Sequence, residues 1–244
     1  MTRIFPPQDL QCPDPKRCTV AAAELSGLAE AGDLPIVTIP KTRHWYPVYD
    51  TQDGCSHPNP GFGDTRFAPF DALDTQERVP TLYLAESLSA ALLETSFHDV
   101  HTQTPRVVSE LSLHGKLHAR LIPPCDMELI DLRDPQLNRL GLTRPKLASS
   151  SPEHYPCTRR VARAVHAGPQ HPAGIIWHSR QAELSNAGPA EVAVVFADRV
   201  SHVRGAWKLG PYRYACGSLL EGTGRLILDD VAESLNITVS QIDF

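Results

Sequence analysis

This chain of 244 residues is short of the features by which many proteins declare themselves. Its N-terminus, MTRIFPPQDLQCPDPKR, has no apolar stretch suited to export, and no run approaches the ~18 apolar residues of a membrane span. It therefore reads as a soluble, cytoplasmic protein with no membrane partner. Neither GxGxxG nor a Walker A sequence is present, which excludes Rossmann and P-loop readings. There is no CxxC pair. The six cysteines, at 12, 18, 55, 125, 157 and 216, are scattered and read as free thiols, not as a disulfide framework. Charge of neither sign dominates: the net value of −5 provides no broad field for nucleic acid. The basic segment CTRRVARAVHA is read as the solvated face of one helix, so no direct nucleic-acid binding is expected.

What is present is an ordinary globular composition, 41% hydrophobic and 21% charged. A chain of this length buries roughly 70–75% of its unfolded surface and needs no metal or disulfide to hold it. The 22 prolines, about 9% of the chain against a usual ~5%, fall in short clusters that punctuate the elements. Helix formers from about Val20 to Ala31 end at a Gly-Asp stop. IVTIP (36–40), TLYLA (81–85), MELIDL (127–132), GIIWHS (174–179) and EVAVVF (191–196) read as strands, the last two apolar enough for the inside of a sheet. Residues 106–122 alternate as a strand or hairpin, and RLILD (225–229) reads as one more strand before a short helix near 229–235. Ser87 is placed to cap a helix over about 88–98, and 157–167 is an amphipathic helix. Elements mix without strict βαβ alternation, which indicates a single α+β domain around a mainly buried mixed sheet flanked by helices. The organisation expected is an N-terminal extension (1–35), a central domain (36–200) and a C-terminal extension packed on it (201–244). The Gly- and Pro-rich segment 41–80 is long enough to be a binding loop.

Four side chains are candidates for chemistry. Glu94 sits in the apolar helix LSAALLETSF, where an unpaired carboxylate is costly; the plain alternatives are a solvent-facing gap or pairing with a structural arginine. Tyr83, in the strand feeding that helix, is either a stacking platform or a core ring. Arg66 follows two glycines in NPGFGDTRF, a setting in which backbone and guanidinium can approach a phosphate. Ser179 ends an apolar strand and precedes Arg180, a position used by ligand contacts and by turns alike. Histidine spacings (His98 and His101, His114 and His118, His154 three before Cys157) invite a metal, but 114–118 looks extended and 98–101 falls at a frayed helix end, and no metal is expected.

Taken in order, GDTRF, TLYLAES with ALLE, and GIIWHSR resemble the RES domain, the toxin half of bacterial toxin-antitoxin pairs, over about residues 36–200. Arg66 matches the arginine of the family's GRF segment, Tyr83 the strand tyrosine, Glu94 the helix glutamate and Ser179 the serine of the late strand. The family's first strand carries a further arginine; here TRHWYPVYD leaves Arg43 or Tyr46 in its place, and the segment from Arg66 to Tyr83 is longer, implying an inserted loop. The resemblance implies an ADP-ribosyltransferase-like fold and NAD as the substrate consumed. Glu94, Tyr83, Arg66 and Ser179 are then the catalytic set, with Arg43 and Tyr46 as further NAD-binding candidates. It also implies a helix-turn-helix antitoxin as partner. NAD hydrolysis or phosphorolysis is the first reading, ADP-ribosylation of a cellular protein the second, and a binding module without turnover the third.

Overall fold

The computed structural model describes residues 10–98, 100, 103–147, 152–184, 188–211 and 215–241. His101 lies outside them. Helix α1 (Ala22–Ala31) ends in the left-handed Gly32, as the Gly-Asp stop predicts. Strands β1 (Ile36–Ile39), β2 (Val48–Asp50) and β3 (Thr81–Ala85) lead into helix α2 (Leu88–Glu94). Then come β4 (Val107–Ser109), the single turn α3 (Glu110–Leu113), β5 (Lys116–Ala119), β6 (Leu121–Ile122) and β7 (Met127–Asp131). After the short α4 (Gln136–Arg139) come α5 (Tyr155–Ala167), β8 (Gly174–His178), α6 (Arg180–Leu184) and β9 (Glu191–Phe196). Strands β10 (Lys208–Leu209) and β11 (Cys216–Ser218), helix α7 (Gly222–Ser234) and β12 (Thr238–Ser240) complete the order.

The central sheet runs β1-β7-β8-β9-β3, parallel between β7 and β8 and antiparallel elsewhere. Its strands are apolar at nearly every position because each face covers a separate core. Val192, Val194 and Phe196 of β9 point to one side with Ile175 and Trp177 of β8, while Ala193, Val195 and Ile176 point to the other. The first face is roofed by helices: α5 lays Val161, Ala162 and Val165 on it, α1 packs on α5, and α2 and α7 close the far end. Trp45, Leu121 and Trp207 cover the second face. Tyr83 alternates with Leu82 and Leu84 and therefore lies on the helix-covered side. The fold is thus α+β with a mixed sheet, as expected. Among the described residues no helix is long and apolar enough to cross a membrane, and the six cysteines form no disulfide.

Three local expectations are corrected. RLILD is the middle of α7, not a strand. Its buried residues, Leu228, Val231 and Ala232, recur at three and four, a helical face that the run of branched aliphatics conceals, and Gly224 lets that helix lie against the Ser218 carbonyl. The segment 106–122 is broken by α3, whose first turn is capped by the Ser109 hydroxyl accepting from Leu111 N at 3.2 Å. The helix after Ser87 begins where predicted, with the Ser87 hydroxyl accepting from Ala90 N at 3.1 Å, but stops at Glu94. Thr95 turns its hydroxyl back onto Ala91 O at 2.6 Å, and the chain leaves the helix there.

The long segment 41–80 is not a loose loop. Phe67, Phe70 and Val79 are buried, and Asn59 accepts from the amides of Gly61 and Phe62 at 2.9 and 2.7 Å. The stretch beyond Arg66 turns back on itself between Asp71 and Arg78, which are ion-paired at 2.6 Å.

Gly174 tests the sheet most directly. A Cβ there would overlap the Val194 carbonyl of the neighbouring strand, and backbone cannot move aside as a flexible side chain can. Gly174→Ala should lower stability by about 2 kcal/mol or more, roughly 4–8 °C in thermal midpoint for a chain of this size. An unchanged melting curve would contradict the strand contact.

Candidate functional site

The candidate site lies where β3, α2 and β8 end together. Tyr83 directs its hydroxyl at the segment before it in sequence. The Tyr83 oxygen accepts from the Thr65 hydroxyl and from Phe67 N, each at 2.9 Å, so it grips the residues on either side of Arg66. Its ring meets Trp177 edge-on, with centroids 6.1 Å apart. Burial pushes the phenol above its usual pKa, so it stays neutral. The sequence left Tyr83 as a stacking platform or a core ring; in the fold its ring packs on Trp177 and its hydroxyl clamps the backbone beside Arg66.

Arg66 is 7% exposed. Its carbonyl accepts from the Thr158 hydroxyl of α5, Nη1 donates to Leu147 O at 3.3 Å, and the guanidinium lies 5.3 Å from the centre of the Tyr155 ring. Burial pulls this guanidinium below its ordinary pKa, the Glu94 carboxylate opposes that shift, and Arg180 adds to it. Arg66 and Glu94 therefore act on one another.

Glu94 closes the last turn of α2. Ser179, 1% exposed, donates its hydroxyl proton to Glu94 Oε1 in a short hydrogen bond. The same Ser179 oxygen accepts from Ala182 N at 3.0 Å, and Ser179 N donates to Ala190 O at 2.7 Å. The serine is thus fixed by its own backbone and by the start of α6. Beside it, His98 Nε2 lies 3.1 Å from the Gln181 amide and 3.4 Å from the Tyr155 hydroxyl, joining the end of α2 to α6 and α5. The four residues expected from distant stretches of sequence do converge.

Arg43 and Tyr46 lie at the same end of the sheet but are otherwise occupied. Arg43 stacks 4.5 Å over Trp45 and pairs with Glu191 at 2.5 Å and Glu86 at 3.6 Å. Glu191 also takes Arg133 at 2.5 Å, and Arg133 reaches Asp131 at 2.7 Å. Tyr46 exchanges backbone hydrogen bonds with Ala85, at 2.8 and 3.2 Å. The positive charge of Arg43 is therefore already matched by two carboxylates, and Tyr46 contributes main chain to the wall of the site. Two cavities, of about 430 Å³ beside Lys41 and Lys208 and about 210 Å³ beside Cys12 and Cys18, have linings distinct from the Glu94–Ser179 pair.

Sequence reasoning missed Tyr155, Thr158 and Arg159. The expected solvent face of α5 holds Arg159, which is 3% exposed and pairs with Asp64 at 3.2 Å, two residues before Arg66. The available signal was the Thr-Arg pair beginning an otherwise apolar helical face.

A mixed sheet roofed by helices, with a buried arginine, a carboxylate and a serine gathered at one end, makes this an α+β domain with a polar site at the edge of its core. The chain belongs to the RES domain family, which matches residues 36–212. Among solved structures, it aligns with a chain of the M. tuberculosis MbcT-MbcA toxin-antitoxin complex at a TM-score of 0.55 and 16% identity, covering 86% of this chain and 97% of that one. At that identity the likeness is one of fold. No curated protein matches significantly.

The ion network around Glu191 makes stability depend on pH. Burial alone would raise the carboxyl pKa, but Arg43 and Arg133 outweigh it and hold Glu191 below the usual carboxylate range. A group depressed in the folded state stabilises above its unfolded pKa of about 4.3 and loses that contribution as pH falls toward the folded value. Glu191→Gln should therefore be less stable than the native protein at pH 7, with the two melting curves converging below about pH 4 as the native carboxylate is protonated. A constant gap between them down to pH 3 would exclude this account.

Proposed function

We infer that this protein cleaves the nicotinamide–ribose bond of NAD, as a glycohydrolase or phosphorylase, and that it acts in the cytoplasm as the growth-arresting toxin of a toxin-antitoxin pair. The observation that carries the reading is the Ser179–Glu94 hydrogen bond within the field of Arg66. Membership of the RES family supports it, as does the shared fold with a structure described as a toxin-antitoxin complex.

The chemistry suits one carboxylate. Nicotinamide leaves NAD as a neutral pyridine, so the leaving group needs no proton, and the transition state gathers positive charge on the ribose. Glu94 stabilises that charge and accepts from a ribose hydroxyl, an electrostatic role in which a preoriented anion acts without reorganising. Ser179 keeps the carboxylate pointed and, as ribose enters, exchanges its hydrogen bond between Glu94 and the sugar. Arg66 offers positive charge to the pyrophosphate, and Tyr83 holds the Arg66 segment in register so that binding becomes reactive geometry. The proposed partner is a small helix-turn-helix antitoxin that occludes this end of the sheet.

The test is release of nicotinamide on mixing purified protein with NAD, followed by chromatography with mass detection of the second product. Glu94→Gln should lower turnover by about 10²–10³-fold or more while the thermal midpoint stays close to native. Arg66→Lys keeps the charge but loses the planar fork, and should raise KM for NAD more than it lowers kcat. Free ADP-ribose or its phosphate identifies hydrolysis or phosphorolysis. ADP-ribose found only on a protein would favour the transferase reading, and NAD bound without loss would favour the binding module. Near-native turnover by Glu94→Gln would refute the mechanism.

A further inference from the structure

Away from that site, the structure gathers four side chains that the sequence separates widely. Cys12 and Cys18 lie in the segment before α1; His154 and Cys157 lie at the first turn of α5. Their donor atoms all fall within 4.8 Å of one another. Cys12 Sγ is 3.7 Å from His154 Nδ1, and Cys18 Sγ is 3.6 Å from Cys157 Sγ. The sulfur separation is far from the ~2.05 Å of a disulfide. It matches a different geometry. The edge of a tetrahedron is about 1.63 times the distance from centre to corner, so ligands at Zn–S ~2.3 Å and Zn–N ~2.1 Å stand about 3.4–3.8 Å apart.

We propose that Cys12, Cys18, His154 and Cys157 bind one zinc ion in a closed Cys₃His site that fastens the N-terminal segment to the start of α5. Three further observations agree. The set is two pairs from remote parts of the chain, with three soft sulfur donors and one imidazole, which select Zn²⁺ over oxygen-seeking Mg²⁺ or Ca²⁺. Nδ1 faces the cluster while Glu153 Oε1 lies 3.7 Å from the other ring nitrogen, so a carboxylate stands where the outer partner of a ligating histidine is usually found. The roughly 210 Å³ cavity lined by Cys12, Pro15, Cys18, Cys157 and Arg160 offers a route for the ion.

The step balances without redox chemistry. Three thiols each exchange an S–H for an S–Zn bond and release up to three protons to solvent, and His154 donates a lone pair as neutral imidazole. Three thiolates and Zn²⁺ leave a net charge of −1 beside Arg160. Four protein ligands leave no open position, so the ion is structural. The consequence reaches the candidate site, because Tyr155 and Thr158, which support Arg66, sit within a turn of two of the ligands.

The test uses the full chain purified in reducing buffer without added metal. Elemental analysis should find zinc stoichiometric with protein, and Cys12→Ser and Cys157→Ser should lose most of it, whereas a double Cys125→Ser, Cys216→Ser variant at the exposed cysteines should keep it. Should those ligand variants fail to fold, native protein stripped by chelator and titrated with Co²⁺ decides alone. Stoichiometric growth of thiolate charge-transfer and tetrahedral cobalt bands, reversed by zinc, supports the site. Absence of both zinc and the cobalt spectrum, zinc retained by all variants, or a Cys18–Cys157 disulfide in the metal-free native protein would each overturn it.

Discussion

One serine hydroxyl organises the centre of this molecule. Ser179 gives its proton to Glu94, accepts the first free amide of α6, and is itself immobilised by a main-chain bond to the residue before β9. A carboxylate at the end of an otherwise apolar helix is expensive to bury. Here it is held by a donor that is nearly inaccessible to water and opposed by a guanidinium that burial has also deprived of solvent. Glu94 itself is half-buried, and the end of the sheet, α2 and α6 meet around its hydrogen bond with Ser179.

Arg66 reaches its position only because three elements hold its segment. The Tyr83 phenol grips the flanking residues, the Thr158 hydroxyl donates to the Arg66 carbonyl, and Arg159 anchors Asp64 just upstream. The loop that carries Arg66 is therefore tied to β3 and α5 by side-chain hydrogen bonds and an ion pair. The supporting helix, α5, is in turn joined at its first turn to the N-terminal segment through the cysteine and histidine cluster. Preorganisation of this kind is what an electrostatic mechanism requires, since donors and charges that must first be assembled give back part of what they stabilise.

Several parts of this arrangement were legible in the residues. Strands 81–85 and 191–196 follow from uninterrupted β-branched and aliphatic runs, and the Ser87 cap follows from its place before LSAALL. Arg66, Tyr83, Glu94 and Ser179 emerged from ordered motifs, and they do converge. Other parts were not. RLILD carries strand-like side chains on a helical face, and its helix is stabilised by contacts with β11 and α2 that no window of sequence contains. Arg43 was a candidate for the family's ligand-facing arginine, and its pairing with Glu86 and Glu191, 43 and 148 residues away, is invisible to any local window of sequence.

Local order thus came from the sequence alone: which segments are apolar, where a helix is capped, and which stretches carry polar side chains between apolar ones. Such properties depend on neighbours a few positions away. Partnership was decided by the tertiary structure, because a charge, a thiol or a hydroxyl acquires its role from whatever the folded chain brings within about 3–4 Å of it. For Cys12 and His154 the chain separation is 142 residues, and only the packing of α1 and its preceding segment against α5 makes them neighbours.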